Sequence, residues 1–436
     1  MRHLDWLHTV LHGEPPDPAS DDAGHPSLDE PERYEDRGVL GVGGMGTVRQ
    51  VRDLAIRRKV AVKLLNSTLS QEPIMLQTFV EEALVMGQLT HPNILPLFDL
   101  GRDARGTVYF TMPVIEGKTL FTILRDPDLP PGNPHRLTLG LEAFLKVCDA
   151  VGFAHSRGVV HRDLKTANVM VGTFGEVYVM DWGLAKVMRN HPDAVDVPRG
   201  PRSPLGRARE TADGTMSYMA PEQATRFPDV DERADIFALG AMLYEIVTGK
   251  PPYVGTPEEV AELARECRFT PADVGRDFYV PRRLARVIAK AMSKHPDDRY
   301  RSAEEIATQV REFVRRGHHM PVQTFAPGAR IVREGEVADC AYILTRGECE
   351  VYKTVDGSKR VLRRMRSGSI FGEAAILGEA PRSATVEAVT EVTVMVISRD
   401  DIDERLAVDT WEGLLVRTLV ERFREHDAKL TGATEK

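Results

Sequence analysis

Apolar and polar residues alternate along residues 34–61, and glycines interrupt the alternation where a hairpin would turn. A period of two is typical of a half-buried β-strand. Residues 78–89 have the longer apolar period of a helix and end before His91 and Pro92. Another strand-like run follows at residues 108–112. The pattern predicts a small lobe of antiparallel sheet with one helix.

The helical period returns downstream and predicts a larger, α-rich lobe. It is clearest in residues 139–156, 234–249 and 281–293. Residues 189–210 are polar, contain prolines and arginines, and have no period. Loops of this length are usually functional or disordered, so we expect a long surface loop here.

A second change of pattern follows Arg316, where the helical period stops. Short strand-like runs separated by glycines then recur, which predicts a compact β-roll. These runs are residues 330–332, 341–345, 348–352, 360–365 and 385–398. An amphipathic C-terminal helix is predicted at residues 411–430.

These patterns predict four parts in an α+β protein. Residues 1–33 form a leader rich in Pro, Asp, Glu, Gly and Ser, which we expect to be disordered apart from a short helix near its start. Residues 34–316 form the first domain, residues 317–325 a linker, and residues 326–436 the second domain.

Composition narrows the class of protein. A chain of 436 residues exceeds the size at which a single hydrophobic core stops growing, which favours two domains. The net charge of −8 and the isoelectric point of about 6.0 give no reason to expect nucleic acid as a partner. The four cysteines lack metal-ligand spacing, and no apolar run is long enough to span a bilayer. Since a signal-peptide pattern is also missing, we expect a cytoplasmic protein without a membrane partner.

The candidate chemistry is concentrated in residues 161–168, His-Arg-Asp-Leu-Lys-Thr-Ala-Asn. Asp163 can orient an acceptor hydroxyl and accept its proton, and Lys165 can neutralise a transferred phosphoryl group. Asn168 and Asp181 supply the amide and carboxylate oxygens that Mg²⁺ prefers, with Mn²⁺ as an alternative ion. This set of side chains predicts phosphoryl transfer.

A glycine-rich turn lies upstream, at Gly41, Gly43 and Gly46. Residues without a Cβ allow a backbone to close over the phosphates of ATP. A dinucleotide-binding turn shares the spacing, but it needs a helix directly after the glycines, and residues 47–51 are strand-like. Lys63 on the next strand would contact the α- and β-phosphates.

Residues 34–315 resemble the protein kinase family. The motifs follow the family's order: glycine loop, lysine, glutamate, catalytic loop, metal-binding aspartate and the Ala-Pro-Glu of residues 220–222. The resemblance implies a two-lobed fold, and residues 165–168 are similar to the serine/threonine class. Trp182 departs from the family, which usually has phenylalanine there, but we expect activity because the side chain is still a large aromatic.

The resemblance also implies roles for individual residues. Lys63 should pair with a glutamate on the helix after it, and the spacing favours Glu82 over its neighbour Glu81. The adenine should lie at a hinge after Met112, with backbone groups of Pro113 and Ile115 facing the base. The side chains and backbone groups that would surround ATP there are Val48, Ala61, Met112, Pro113 and Ile115.

Two further pairs follow from the same resemblance. Glu222 should form a structural ion pair with Arg299. Arg162, directly before Asp163, indicates control by phosphorylation of the loop, because a phosphate on Thr211 could pair with it. The simpler alternative is that Thr211 stays unmodified.

Residues 371–386 resemble the phosphate-binding cassette of cyclic-nucleotide-binding domains, within a resemblance that covers about residues 322–430. The resemblance implies that Glu373 accepts from the ribose 2′-hydroxyl and that Arg382 pairs with the cyclic phosphate. Backbone groups near Gly372, Ala374 and Ala375 would join them. Ser383 follows the arginine but leaves the choice between cAMP and cGMP open.

We therefore predict a serine/threonine protein kinase with Mg²⁺ and ATP as cofactors, regulated by a cyclic nucleotide bound to its second domain. The protein substrates are unknown. An alternative is a catalytically weak ATP-binding scaffold whose β-roll is a docking module. The complete set of charged residues at the predicted site disfavours the scaffold, and a single helix after the roll disfavours a transcription regulator.

Overall fold

The computed structural model describes residues 33–66, 69, 72–103, 106–188, 190–198, 215–226, 230–275, 278, 280–317, 321–337, 340–355, 358–373 and 381–398. The predicted leader, Thr211, Ala374, Ala375 and the predicted C-terminal helix therefore lie outside the described residues. Contacts divide the chain into two compact units. The first comprises Met1–Asp126, Gly140–Thr270 and Arg286–Arg311, and the second Pro127–Leu139, Pro271–Ala285 and Glu312–Lys436.

A five-stranded antiparallel sheet forms the N-terminal part of the first unit, in the order β1-β2-β3-β5-β4. Its register places Val48 opposite Lys63 and Ala61 opposite Met112, so the residues predicted to surround ATP lie on neighbouring strands. The strands are β1 Tyr34–Val42, β2 Gly46–Asp53, β3 Arg58–Leu65, β4 Asp99–Arg102 and β5 Val108–Pro113.

Helix α1, Pro73–Gln88, follows strand β3 and precedes strand β4 along the chain. It begins at Pro73 rather than at the predicted residue 78, because proline is well suited to the first helical turn and Met75 adds a buried position to the apolar face. Its buried side chains include Phe79 and Glu82. The helix therefore carries an acidic group into the lobe along with its apolar stripe.

The larger part of the first unit is helical, as the apolar period predicts. Helix α5, Arg233–Thr248, is buried at every position from Ala234 onwards, and its mostly apolar side chains surround two buried carboxylates, Asp235 and Glu245. It ends at Gly249, whose φ of 81° is the left-handed conformation favoured at helix ends. The remaining helices, some of which extend into the second unit, are α2 Leu120–Ile123, α3 Pro134–Ser156, α4 Pro221–Arg226, α6 Pro257–Glu266, α7 Arg282–Ala291 and α8 Ala303–Gly317.

The chain also forms two small sheets in this part. One joins strands in the order β6-β8-β9, and the other pairs β7 with β10. Their bounds are β6 Gly117–Thr119, β7 Val159–Val160, β8 Val169–Gly172, β9 Val177–Val179 and β10 Lys186–Val187. None of the helices that the structure describes combines the length and apolar character needed to cross a bilayer.

The second unit contains the predicted β-roll, built from two four-stranded sheets in the orders β11-β18-β13-β16 and β12-β17-β14-β15. Its core includes Leu344, Cys349, Phe371 and Val392. The strands are β11 Val322–Phe325, β12 Arg330–Val332, β13 Cys340–Arg346, β14 Glu348–Val355, β15 Ser358–Arg366, β16 Ile370–Phe371, β17 Thr385–Ala388 and β18 Val392–Ser398.

Two details of the roll differ from the sequence pattern. The continuous run predicted at residues 385–398 is two strands, because the backbone N–H groups of Val389 and Thr390 both turn to the carbonyl of Glu348. Strand β11 also occupies the second half of the predicted linker, since it pairs with β18 from Val322 to Phe325. A four-residue strand with few apolar residues has too weak a period to be recognised alone.

Candidate functional site

A buried carboxylate on α5 holds the backbone of the catalytic loop. Asp235 has no exposed surface and accepts hydrogen bonds from the backbone N–H groups of His161 and Arg162, each at 2.8 Å. It also bonds to His155 Nε2 at 2.8 Å. Burial opposes ionisation of Asp235, but these partners outweigh it and hold its pKa below the ordinary range. A charged Asp235 thus anchors the two residues before Asp163.

Asp163 is almost completely buried and contacts side chains that lie close to it along the chain. The side-chain amide of Asn168 donates to its carbonyl at 2.9 Å and to Oδ2 at 3.1 Å, and Lys165 Nζ lies 3.2 Å from Oδ2. The other oxygen, Oδ1, is buried without a hydrogen-bond partner among the described residues. Burial, with a smaller contribution from the charge of Asp181, raises the pKa of Asp163, while Lys165 opposes the shift. One carboxylate oxygen is therefore left to accept a hydrogen bond from a bound hydroxyl.

Lys63 and Glu82 form an ion pair between strand β3 and helix α1. Lys63 Nζ lies 2.6 Å from Glu82 Oε1, and the glutamate side chain is almost fully buried. The neighbouring Glu81 instead accepts from the side-chain amide of Gln77 at 2.9 Å. Because the pair crosses from sheet to helix, the position of α1 determines where the Lys63 ammonium lies.

Among the three residues of the glycine-rich turn, the requirement for glycine is strictest at Gly46. A Cβ on Gly46 would overlap the carbonyl oxygen of Leu64, whereas a Cβ would meet nothing on Gly41 and only the Gly46 carbonyl oxygen, at 3.9 Å, on Gly43. Gly43 and Gly46 also exchange backbone hydrogen bonds of 2.9 and 3.3 Å, which close the turn. Gly46 is thus needed for strand packing, and the other two glycines leave room above the sheet.

The predicted adenine-binding residues lie at the end of the same sheet. Ala61 and Met112 are buried opposite each other, and Pro113 and Ile115 follow as half-buried residues. Val48 lies on the adjacent strand beneath the glycine-rich turn. Apolar side chains on three neighbouring strands, next to the backbone that follows Met112, are the kind of surroundings that a planar heterocycle needs.

Trp182, the departure from the kinase pattern, packs directly under the catalytic loop. Its side chain is 1% exposed, and its ring centroid lies 4.5 Å from that of His161. His161 Nε2 in turn lies 3.1 Å from the carbonyl of Met180. The larger aromatic therefore fills a buried space and contacts the loop that carries Asp163.

Asn168 and Asp181, the predicted metal ligands, are brought together by adjacent strands. The backbone N–H of Met180 donates to the Asn168 carbonyl at 2.9 Å, and Asp181 has an unusual φ of 60°. Within the described residues, no group of three or more His, Cys, Asp or Glu side chains could hold a metal by itself. A site with one carboxylate and one amide fits Mg²⁺ that takes its other ligands from phosphate oxygens and water.

Helix α1 and the long polar loop are connected in a way that the sequence pattern does not predict. The side-chain amide of Gln88 donates to the carbonyl of Asp196 at 2.8 Å and accepts from its N–H at 2.8 Å. Val195 and Val197 on either side are buried. Residues 190–198, which we call the anchored segment, are thus held at Asp196 by hydrogen bonds and at two buried valines. A polar loop without a period contains no signal for this pairing.

A second missed cluster joins the catalytic loop to α5. Thr166 and Tyr218 both donate to the buried carboxylate of Glu245, and Arg125 pairs with its other oxygen at 2.9 Å. The four residues are far apart in the sequence, so no local pattern indicates the cluster. The ion pair between Glu222 and Arg299, in contrast, is bidentate at 2.6 and 2.7 Å, with the residues that the kinase resemblance implies.

In the β-roll, Arg382 is buried and bonded to backbone. Its Nη1 donates to the Gly372 carbonyl at 2.8 Å and its Nη2 to the Cys340 carbonyl at 2.6 Å. A Cβ on Gly372 would overlap Nη1, and its φ of 80° also favours glycine. Glu373 is half-buried and Ser383 is exposed. These contacts fix the guanidinium in place and use two of its five N–H donors.

Comparison with known families agrees with both parts of the structure. Residues 34–310 match the protein kinase domain, and residues 322–409 match the cyclic nucleotide-binding domain. The kinase match covers more than half of the chain, so the chain belongs to the protein kinase family. The family and the fold class predicted from the sequence are confirmed. A kinase domain implies ATP and a divalent cation, and the second domain implies a cyclic nucleotide.

Similar proteins include several bacterial kinases. The chain is 37% identical over 289 residues to serine/threonine-protein kinase PknD of Protochlamydia amoebophila, which covers 63% of this chain and 29% of that protein. It is 34% identical over 285 residues to serine/threonine-protein kinase PknB of Mycobacterium leprae, covering 64% and 42%. PknB of Mycolicibacterium smegmatis is 34% identical over 324 residues, covering 73% and 45%. The chain thus spans less than half the length of these relatives.

Proposed function

We propose that this protein transfers the γ-phosphoryl group of ATP to serine or threonine hydroxyls of proteins, and that a cyclic nucleotide bound to its second domain regulates the transfer. The observation that carries the proposal is the environment of Asp163. One of its oxygens is held by Asn168 and Lys165, and the other has no hydrogen-bond partner among the described residues. A substrate hydroxyl in that position would be oriented for transfer.

The other residues position charge around the reaction. Lys63, held by Glu82, would bind the α- and β-phosphates, and Lys165 would neutralise the γ-phosphoryl group as it leaves ATP. Asn168 and Asp181 would hold Mg²⁺, which supplies positive charge between the phosphates. Asp163 Oδ1 would accept the proton of the attacking hydroxyl. Positioning and electrostatics account for most of the catalysis in such a site.

We assign these roles to a kinase domain at residues 34–316 and the nucleotide response to residues 326–436. In the second domain, Arg382 would pair with the cyclic phosphate and Glu373 with the ribose, beside Gly372 and Ser383. The buried guanidinium and its backbone anchors support this assignment. Both cAMP and cGMP are candidate ligands.

A labelled-phosphate assay tests the kinase activity. The full chain with Mg-ATP should label itself or a generic protein substrate on serine and threonine. Asp163→Asn should lower the rate by on the order of 10²–10⁴-fold because it removes the proton acceptor. Asp297→Asn, a change of the same kind at a side chain that is 90% exposed, is the control. A chain that binds Mg-ATP but transfers no label would support the scaffold alternative.

We also propose Thr211 as an activating phosphorylation site, because Arg162 lies next to Asp163 and its Nε already bonds to the Leu184 carbonyl at 2.6 Å. A phosphate paired with Arg162 would connect the loop to the catalytic residues. Mass spectrometry of active protein should find phosphate on Thr211. Undiminished activity of Thr211→Ala would contradict the assignment.

A further inference from the structure

Four polar side chains from four parts of the chain meet beside the catalytic loop. Glu245 on α5 is completely buried and accepts hydrogen bonds from the hydroxyls of Thr166, at 2.7 Å, and Tyr218. Burial, and then the charge of Glu245, raises the pKa of the Tyr218 hydroxyl, which stays neutral and donates. Arg125 Nη1 pairs with the second carboxylate oxygen at 2.9 Å. A buried negative charge is therefore balanced from within the chain.

Arg125 is the member of this cluster that faces solvent. Its side chain is 39% exposed, and its guanidinium lies 3.4 Å from the centre of the partly exposed Phe121 ring. The Phe121 ring covers one face of the guanidinium and restricts its orientation. The Nη2 and Nε groups have no hydrogen-bond partner among the described residues, so they are available to an incoming acceptor.

The cluster includes Thr166, three residues after Asp163, the residue at which the proposed kinase function places the substrate hydroxyl. Thr166 directly follows Lys165, whose Nζ is 3.2 Å from Asp163, and the Tyr218 hydroxyl contacts Thr166 at 3.2 Å. Three peptide units join Asp163 to Thr166, so their Cα atoms are at most about 11 Å apart. An extended substrate with its hydroxyl at Asp163 therefore brings a residue within about four positions of the acceptor close to this cluster.

We propose that Arg125 is a specificity-determining residue that selects protein substrates with an Asp or Glu side chain near the phosphorylated hydroxyl. This inference rests on the proposed kinase function. The outward N–H groups of Arg125 can bind a carboxylate with two hydrogen bonds, which is the geometry that guanidinium groups favour. Glu245 would attract a basic substrate residue if it were open, but Arg125 already occupies that position.

The test uses the full chain and a series of peptides with one acceptor threonine in a neutral background. A single Glu, Gln or Lys is moved through each position within five residues of the acceptor, and kcat/KM is measured for each peptide. We expect Glu to be preferred over Gln by about tenfold at one or two positions, the usual effect of a charge-assisted hydrogen bond. Lys at those positions should be the poorest substrate.

Three variants connect the preference to Arg125. Arg125→Gln should abolish the preference for Glu and favour Lys, because it uncovers the Glu245 carboxylate. Arg125→Lys keeps the positive charge but not the planar fork, so it should retain a reduced preference for Glu. Arg286→Gln, at an exposed arginine on α7, is the matched control and should keep the wild-type preference. Melting temperature and KM for ATP report whether each variant is folded; if Arg125→Gln is not, Arg125→Lys decides.

Equal kcat/KM for Glu, Gln and Lys peptides at every position in the wild type would overturn this inference while leaving the kinase function intact. A preference for Glu that persists unchanged in both Arg125 variants would also overturn it. Failure to label any peptide or the chain itself would overturn the proposed function and the inference together. Label transfer to the neutral peptides therefore shows whether only the role of Arg125 has failed or the kinase function as well.

Discussion

At the scale of single residues, the catalytic loop depends on Asp235, which touches neither ATP nor the acceptor in the proposed mechanism. Its carboxylate is fully buried and forms hydrogen bonds with two backbone N–H groups and with His155. Asn in its place would keep one acceptor oxygen and turn an amide N–H₂ group towards a backbone donor. The side chain therefore acts through its charge as well as its shape.

We predict that Asp235→Asn lowers the free energy of unfolding by about 3–5 kcal/mol, the usual cost of breaking a buried charged pair. Because the native pKa of Asp235 is depressed, its contribution is complete above the ordinary range of Asp, about pH 4, and is lost as the pH falls through the native pKa. Urea unfolding at several pH values measures both effects. A difference between wild type and variant that grows on acidification would contradict this assignment.

A second prediction at this scale concerns Arg382 in the second domain. Arg382→Lys keeps the charge but cannot hold the Gly372 and Cys340 carbonyls while also pairing with a cyclic phosphate. We expect the affinity for the nucleotide to fall by about tenfold or more. Calorimetry of the full chain with cAMP and with cGMP measures the change, and Arg363→Lys on the exposed strand β15 is the control. An unchanged Kd in Arg382→Lys would exclude Arg382 from the site.

At the scale of elements, helix α1 is connected at one position to strand β3 and at another to the anchored segment. Glu82 pairs with Lys63, and Gln88 near the helix end pairs with the backbone of Asp196. Both residues belong to one rigid helix. Displacement of the anchored segment would therefore be transmitted to the Lys63 ammonium.

We predict that Gln88→Ala raises the KM for ATP and lowers kcat by a few-fold, because α1 loses two hydrogen bonds that are worth about 1 kcal/mol each. Hydrogen exchange at the Asp196 amide should become faster. Gln88→Glu, which keeps the acceptor for that amide but loses the donor, should lie between wild type and Gln88→Ala. Unchanged exchange and kinetics in Gln88→Ala would contradict a role for Gln88 in holding the anchored segment.

At the scale of the whole molecule, a kinase domain and a nucleotide-binding domain share one chain. A ligand changes the activity only if its affinity differs between the active and inactive states. We therefore predict that the nucleotide that binds also changes the phosphorylation rate, within the 5–150-fold range typical of coupled sites. The Arg382→Lys variant should need a correspondingly higher nucleotide concentration.

Steady-state labelling with and without cAMP and cGMP measures this coupling, and calorimetry on the same preparation measures binding. A nucleotide that binds without any change in rate would disprove regulation while leaving the binding site in place. A rate change that persists with the same midpoint in Arg382→Lys would place the nucleotide at a different site.

The sequence was most informative where function requires residues close together along the chain. Residues 161–168 predicted the catalytic loop, and the order of motifs predicted the protein kinase family, which is confirmed. The glycine-separated strands predicted a β-roll, which is also confirmed. Local spacing indicates these features, because the residues that define each motif lie within one loop or one strand.

Tertiary structure alone decided what lies between those motifs. The pairing of Gln88 with Asp196 joins residues 108 positions apart, and that of Arg125 with Glu245 joins residues 120 apart. Neither has a local period or motif, because each depends on how separate elements pack. The same is true of the burial that raises the pKa of Asp163 and leaves one of its oxygens without a partner among the described residues. Sequence by itself determined which groups are available for phosphoryl transfer, and packing decided which of them are charged, paired or exposed.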